Sequence, residues 1–407
     1  MSQKKISKTR RIAPFVVIAA STLGVAMVQY DASVRPRILY PPMVQMHAPD
    51  RLTVVWSAQS ADNRGWIKFI NPEGMESFQE VAQKDGRYVG EMTGLRPGMN
   101  YQYELYNAGL LGRRVKVSGP HAYKSAPKRG AGPFRFIAFG DSGIGGNAQT
   151  LVAELMSRQK ADVIIHTGDL VYPAGAMSDY PTHFFEPNAT LLPTTPFMPS
   201  LGNHDVATKK GAPLLDVFVL PENGPAGIEA ERNYYFDFGD ARFVALDTNL
   251  DAHGGAITHD QMKTAVADWL RKTLTDCDAT WKFVYFHHPF YTGSAHSAEG
   301  AAFVKEAYLD VIDAAKVDVV FCGHNHLYER TAPLRGDKIV EDGKGTVYIT
   351  TGAGGAHRYP EGNDPPEYIL VHNDKVFSFT RVDVTADKLE IVQIGETGDE
   401  LDRFTIK

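Results

Sequence analysis

From Phe134 onward, short apolar runs alternate with stretches whose apolar positions recur every three or four residues, the texture of strands exchanged with amphipathic helices. Strands are expected over Phe134 to Phe139, Val163 to Thr167, Phe243 to Asp247, Phe283 to Phe286, Val317 to Cys322 and Val347 to Thr351. Helices are expected over Ala148 to Gln159 and His259 to Leu274. The second opens on Thr258 and Gln261 at capping-box spacing and places Met262, Val266, Trp269 and Leu270 on one face, as core packing would require. Upstream, between Arg37 and Pro127, the period is nearer two: Leu52 to Ser57 and Tyr101 to Tyr106 are apolar or aromatic runs broken by Gly, Pro, Asn and Asp. The expected organisation is an all-β sandwich over residues 37–127, a Pro/Gly-rich basic linker over 128–133, and an α/β or layered α+β unit over 134–407.

The stretch Leu95-Arg96-Pro97-Gly98-Met99-Asn100-Tyr101 couples a Pro-Gly turn to a strand that opens on Tyr, the pattern of the tyrosine corner in immunoglobulin-like and fibronectin-like domains. With 407 residues, 43% apolar and 22% charged, the chain is neither disordered, collagenous nor a disulfide miniprotein. Its net charge of -6 hides an asymmetry, because residues 1–36 hold six Lys/Arg against one Asp, which leaves the remainder near -11. A body that acidic is a poor counterion for nucleic acid, and no basic run interleaved with aromatics appears, so nucleic acid is not an expected partner.

Lys4, Lys5, Lys8, Arg10 and Arg11 precede an uncharged, mostly apolar run from Ile12 to Val28, which reads as a signal peptide or signal anchor within residues 1–36. Gly24 and Ala26 permit cleavage before Met27, while the run is almost long enough to span a bilayer as an anchor. Both readings keep the basic flank inside and export the body, so an extracytoplasmic location is expected: secreted, periplasmic or membrane-anchored facing outward. Arg10-Arg11 reads as an ordinary basic flank rather than a twin-arginine export signal. Cys277 and Cys322 are too few to staple the fold and lack zinc-site spacing.

The chemistry lies where the strands end. They deliver Gly140-Asp141-Ser142-Gly143, Gly168-Asp169-Leu170-Val171-Tyr172, Gly202-Asn203-His204-Asp205, Val284-Tyr285-Phe286-His287 and Gly323-His324-Asn325-His326. Taken singly, each reads as a turn, a cap or a surface pair. Taken in order, five strand ends carrying carboxylate, phenol, amide and imidazole donors describe a two-metal hydrolytic site, with glycines where backbone passes close to a ligand.

On these motifs the chain resembles the calcineurin-like metallophosphoesterases, and within them the purple acid phosphatases with an N-terminal fibronectin-like domain. Tyr172 is the specific feature, since most of the superfamily lacks it. The resemblance implies an α/β, four-layer αββα metallophosphoesterase catalytic domain following the all-β sandwich. It also implies that Asp141, Tyr172 and His326 bind a first metal, that Asp169 bridges, and that Asn203, His287 and His324 bind a second. Hard anionic donors suit Fe(III), and two imidazoles with an amide oxygen suit a divalent Zn, Mn or Fe. Of the adjacent pair, motif spacing selects His287 as the ligand and leaves His288 either to support the ligands from behind or merely to pack. His204 and His296, in the loop Tyr291 to His296, are the expected substrate-contacting catalytic histidines, alongside the bridging Asp169.

The expected reaction is hydrolysis of a small phosphate monoester, in which a hydroxide held by the metals attacks phosphorus and protonated His204 and His296 stabilise charge and protonate the leaving alkoxide. A phosphodiesterase or nucleotide-acting hydrolase is the alternative within enzymes, and a non-catalytic surface binding protein the alternative outside them. Among other features, His166 reads as a satisfied core imidazole, Cys322 as a buried inert thiol, and Gly352-Ala353-Gly354-Gly355 as a loop near the metal edge. Asn188-Ala189-Thr190 matches a glycosylation sequon, a pattern frequent by chance.

Overall fold

The computed structural model describes residues 35–45, 50–60, 62–294, 301–359 and 365–407. Nearly all of the expected leader therefore lies outside the described residues. Among those that are described, no helix is long and apolar enough to cross a membrane.

The first unit is a sandwich of two antiparallel sheets. One orders Arg37–Gln45, Arg51–Gln59 and Tyr88–Thr93; the other orders Glu76–Ala82, Arg64–Ile70, Asn100–Ala108 and Arg114–Lys124. Alternate residues of both sheets, including Val54, Trp56, Ile67, Phe69, Tyr103 and Leu105, meet in its core. The expected tyrosine corner is present, with the Arg96 backbone N–H donating to the Tyr101 hydroxyl at 2.8 Å.

The second unit packs two sheets face to face. A six-stranded sheet orders Phe197–Pro199, Val163–His166, Phe134–Phe139, Ser378–Val384, Leu389–Gly395 and Glu400–Ile406, its first three strands parallel. A seven-stranded sheet orders Tyr234–Phe238, Ala241–Ala245, Trp281–Tyr285, Val319–Cys322, Val347–Thr351, Tyr328–Thr331 and Ile369–Asn373. Strand alternation explains the layering. Phe243, Phe283 and Phe321 point into the inter-sheet core, where Phe136 meets the Phe243 and Phe283 rings at 5.0 Å each. Val244, Val284 and Val320 point the other way, onto Met262, Val266 and Leu270 and onto Val311 and Ile312 of the helix Ala301–Ala315. The helix Asn147–Arg158 contributes Val152, Ala153 and Met156 to the opposite side, completing the αββα order.

Several bounds differ from expectation: the strand expected from Phe283 runs Trp281–Tyr285 and the one expected from Val317 starts at Val319. The strand expected from Phe243 runs Ala241–Ala245, because the Gly239-Asp240 turn starts it earlier, in register with Trp281–Tyr285. The helix expected from His259 keeps its Thr258/Gln261 capping box but passes through a wider turn at Met262–Val266 before continuing as Ala267–Thr275. Trp269 then sits at the rim, half-buried, with its indole N–H donating to Asn223 O at 2.9 Å.

The sandwich docks on the segment that leads into the Gly202-Asn203 turn. Val44 N donates to Leu192 O at 2.9 Å, the Tyr103 hydroxyl to Pro193 O at 2.7 Å, and Tyr40 stacks on Phe185 at 4.8 Å.

Candidate metal centre

Parallel neighbours deliver their C-terminal ends to one edge, and two sheets packed face to face bring both edges together. The six-stranded sheet hands the chain on to Asp141, Asp169 and Asn203, and the seven-stranded sheet leads to His287 and His324. Two donor sets result. In the first, the Tyr172 hydroxyl oxygen stands 2.9 Å from His326 Nε2, 3.0 Å from Asp169 Oδ2 and 3.3 Å from Asp141 Oδ1. In the second, Asn203 Oδ1 stands 2.8 Å from His287 Nε2 and 3.0 Å from His324 Nδ1, and His287 Nε2 lies 3.3 Å from Asp169 Oδ2. Asp169 Oδ2 is common to both.

Three of these residues sit on strained backbone. Asp141, Asp169 and His324 have φ of 56°, 57° and 69°, the left-handed region that costs a non-glycine residue about 1–3 kcal/mol. Such geometry persists where the surroundings over-determine it, and here the motifs hold one another. His324 N donates to Asp141 Oδ1 and Oδ2 at 3.0 and 2.9 Å, and His204 N donates to Asp169 Oδ1 at 2.8 Å. Two glycines allow this closeness: a Cβ on Gly202 would overlap the Asp169 carboxylate, and one on Gly323 would press on Asp141 Oδ2.

The electrostatics call for positive charge. Burial pushes the Asp141 carboxyl up. Burial also opposes ionisation of Asp169, but the neighbouring His287 charge, its hydrogen bond and the His204 contacts hold that carboxyl below the usual range. In turn, burial works against a charge on His287, and the Asp169 carboxylate overrides it, pushing the imidazole up to about 9. Burial brings His326 down to about 4 and, together with the Asp169 and Asp141 charges, raises the Tyr172 phenol.

Ring orientation agrees. His287 Nδ1 donates to Thr167 O at 3.0 Å and His326 Nδ1 to His357 O, so in the neutral rings the lone pairs lie on the Nε2 atoms that enter the two sets. Carboxylate, amide and imidazole acceptors crowded this closely repel one another unless cations lie among them, so the residues present fit a pair of metal ions. Carboxylates, a phenol and one imidazole on one side suit a hard trivalent ion, and an amide oxygen with two imidazoles on the other suits a divalent one.

The remaining expectations divide. His204 lies at the rim of the centre, its ring 4.3 Å from Tyr172 and its Nε2 3.9 Å from Asp169 Oδ2. His296 lies outside the described residues. His166 is fully buried between Ser142 Oγ at 3.0 Å and the Gly168 N–H, and burial lowers it to about 3, as a satisfied core imidazole requires. Cys322 is buried, and burial pushes its thiol up, so it is no nucleophile. The Gly352 loop does pack behind Asp141. The sequon Asn188 is buried, with its Nδ2 donating to Phe184 O at 2.9 Å, and so presents no acceptor for a glycan.

Further side chains support these donors. Asp205 Oδ2 accepts from Gly202 N and Asp169 N at 2.9 and 2.8 Å, and its Oδ1 accepts from Leu170 N at 3.0 Å. It thereby ties the second motif to the third. Glu329, also buried, accepts from the Thr292 hydroxyl at 2.6 Å, Gly293 N at 2.9 Å and His372 Nδ1 at 2.8 Å, while Asn325 Nδ2 donates to Thr292 Oγ1 at 2.9 Å. Tyr359 stacks on His326 with ring centroids 4.4 Å apart. The final Asp of Gly-Asn-His-Asp was visible as part of a motif; Glu329 and Tyr359 carry no local signal.

Residues 134–328 match the family model described as calcineurin-like phosphoesterase. The chain therefore carries a metallophosphoesterase domain. The relatives it is similar to include proteins named purple acid phosphatases and a nucleotide pyrophosphatase/phosphodiesterase of Hordeum vulgare, 24% identical over 302 residues, 65% of this chain and 80% of that one. Purple acid phosphatase 22 of Arabidopsis thaliana is 27% identical over 322 residues, covering 71% of this chain and 68% of that relative. A protein of the same plant named probable inactive purple acid phosphatase 24 is 25% identical over 355 residues, 77% of this chain. This chain spans 56% of that relative's length and 61% of another, probable inactive purple acid phosphatase 27. The fold matches a purple acid phosphatase from yellow lupin (Lupinus luteus) seeds with a TM-score of 0.77 at 20% identity, covering 91% of this chain and 74% of that one.

Proposed function

We propose that the protein is an exported acid phosphatase that hydrolyses small phosphate monoesters at a dinuclear metal centre. In this reading Asp141, Tyr172 and His326 hold a first ion, Fe(III), and Asn203, His287 and His324 hold a second, a divalent Zn, Mn or Fe, with Asp169 bridging. The observation that carries it is the sharing of Asp169 Oδ2 between the two donor sets, 3.0 Å from the Tyr172 hydroxyl and 3.3 Å from His287 Nε2. When bound, two such ions neutralise the ester's charge and supply a hydroxide nucleophile near neutral pH.

The chain's own residues do the rest. His204 Nδ1 donates to Pro173 O at 2.6 Å, which fixes the ring and leaves Nε2 at the rim of the centre. Protonated there, it pairs with the developing phosphoryl charge, and with His296 it gives a proton to the leaving alkoxide, so turnover is fastest at acidic to neutral pH. The sandwich over residues 37–127, joined by the 128–133 linker, supports the segment that leads to Asn203. The basic, apolar leader within residues 1–36 directs export. Although some relatives are named inactive, this chain keeps every residue of both donor sets, which favours an enzyme over a vestigial binding protein.

Asp169→Asn in the metal-loaded protein tests the reading. Activity should fall by more than the roughly 10–100-fold typical of outer-shell changes, with the fold retained. Full activity in that variant refutes the bridging role.

A further inference from the structure

Motif spacing selects His287 over His288 as a ligand, but the structure places both beside His324. A donor nitrogen from each of His287, His288 and His324 lies within 4.8 Å of the other two. The His288 ring centroid stands 5.0 Å from that of His287 and 4.8 Å from that of His324. Its Nδ1 lies 2.8 Å from Thr248 Oγ1, on the loop after the strand Ala241–Ala245. With Nδ1 donating to that hydroxyl, the free lone pair is on Nε2. The ring is also half-buried rather than sealed in the core.

Resting on the dinuclear reading above, we propose that His288 is a third imidazole for the second metal position, with Thr248 fixing its tautomer. Ligation at Zn–N bonds of about 2.1 Å allows donors up to about 4.2 Å apart, so a small ring rotation brings the three nitrogens onto one ion. The consequence is selectivity. Three imidazoles and one amide oxygen favour Zn(II) over Mn(II), whose preferred donors are oxygen.

The test is metal binding rather than turnover. The metal-depleted full chain is titrated with Zn(II) and with Mn(II) against a competing chelator, and the Co(II)-loaded protein is examined by visible absorption. His288→Ala should weaken the second Zn(II) at least about 10-fold, reduce the preference for Zn(II) over Mn(II) and alter the Co(II) spectrum, with the first ion unaffected. Thr248→Val, a smaller perturbation, should shift Zn(II) affinity in the same direction and decides the matter should His288→Ala fail to fold. A His288→Ala protein that binds two Zn(II) ions as tightly as the parent overturns the proposal while leaving the dinuclear reading intact. Loss of activity with Zn(II) affinity unchanged also overturns it, assigning His288 to substrate instead. A parent that takes up fewer than two ions sinks the dinuclear reading itself, and His288 ligation with it.

Discussion

Asp205 Oδ2 accepts the backbone N–H of Asp169 at 2.8 Å, so the carboxylate shared by the two donor sets is oriented by a second carboxylate that enters neither. The same side chain takes N–H groups from Gly202 and Leu170, clamping two strand-end turns together. An amide cannot replace it, because one of its two atoms would present N–H to N–H. Asp205→Asn should therefore cost about 1–3 kcal/mol of stability and reduce metal retention. Chemical denaturation and metal analysis check this; unchanged values for both would show that the clamp is dispensable.

Gly202 faces Asp169 with no room for a methyl group. Gly202→Ala should cost about 1–3 kcal/mol through overpacking and should displace the shared carboxylate. Denaturation together with metal stoichiometry reads both effects. A variant with full metal content and stability would mean that the turn relaxes freely.

Glu329 anchors the loop at Thr292 and Gly293 and, through Thr292, the turn between His324 and His326. In Glu329→Gln the amide N–H₂ must oppose at least one of the present donors. We expect both ions to remain bound, with KM raised and kcat lowered, because the change moves the walls of the centre rather than its ligands. Steady-state kinetics with metal analysis tests this, and parental kinetics would assign Glu329 to stability alone.

In the sandwich, Tyr101→Phe deletes the hydrogen bond from Arg96 N. Stability should drop by about 1 kcal/mol with kcat/KM unchanged, since Tyr101 packs in the core of the sandwich. A large loss of activity would mean that the sandwich shapes the site rather than merely bracing it.

Local spacing exposes part of this site, and tertiary packing hides the rest. That Asp141, Asp169, Tyr172, Asn203, His287, His324 and His326 would meet was legible because each follows an apolar strand within a few positions, and parallel strand ends converge whatever the loops do. The tyrosine corner was legible for a similar reason, since Tyr101 and Arg96 are five residues apart and their contact is local. Glu329 and Tyr359 were not, because their partners are set by tertiary packing: Gly293 lies 36 positions from Glu329. The contact between His288 and Thr248 was hidden as well, because motif spacing ranks adjacent residues but does not see a hydrogen bond across 40 positions. The wider turn at Met262–Val266 escaped as well, because the apolar face formed by Met262, Val266 and Leu270 survives it.

Monoester hydrolysis at this centre is tested most directly by one pair of substrates. The metal-loaded protein is assayed from pH 5 to 9 with a plain aryl phosphomonoester and with the matching bis-aryl phosphodiester. The monoester should turn over faster, with an optimum on the acidic to neutral side, and Asp169→Asn should abolish that turnover. A clear preference for the diester, or a rate that climbs steadily to pH 9, would contradict it.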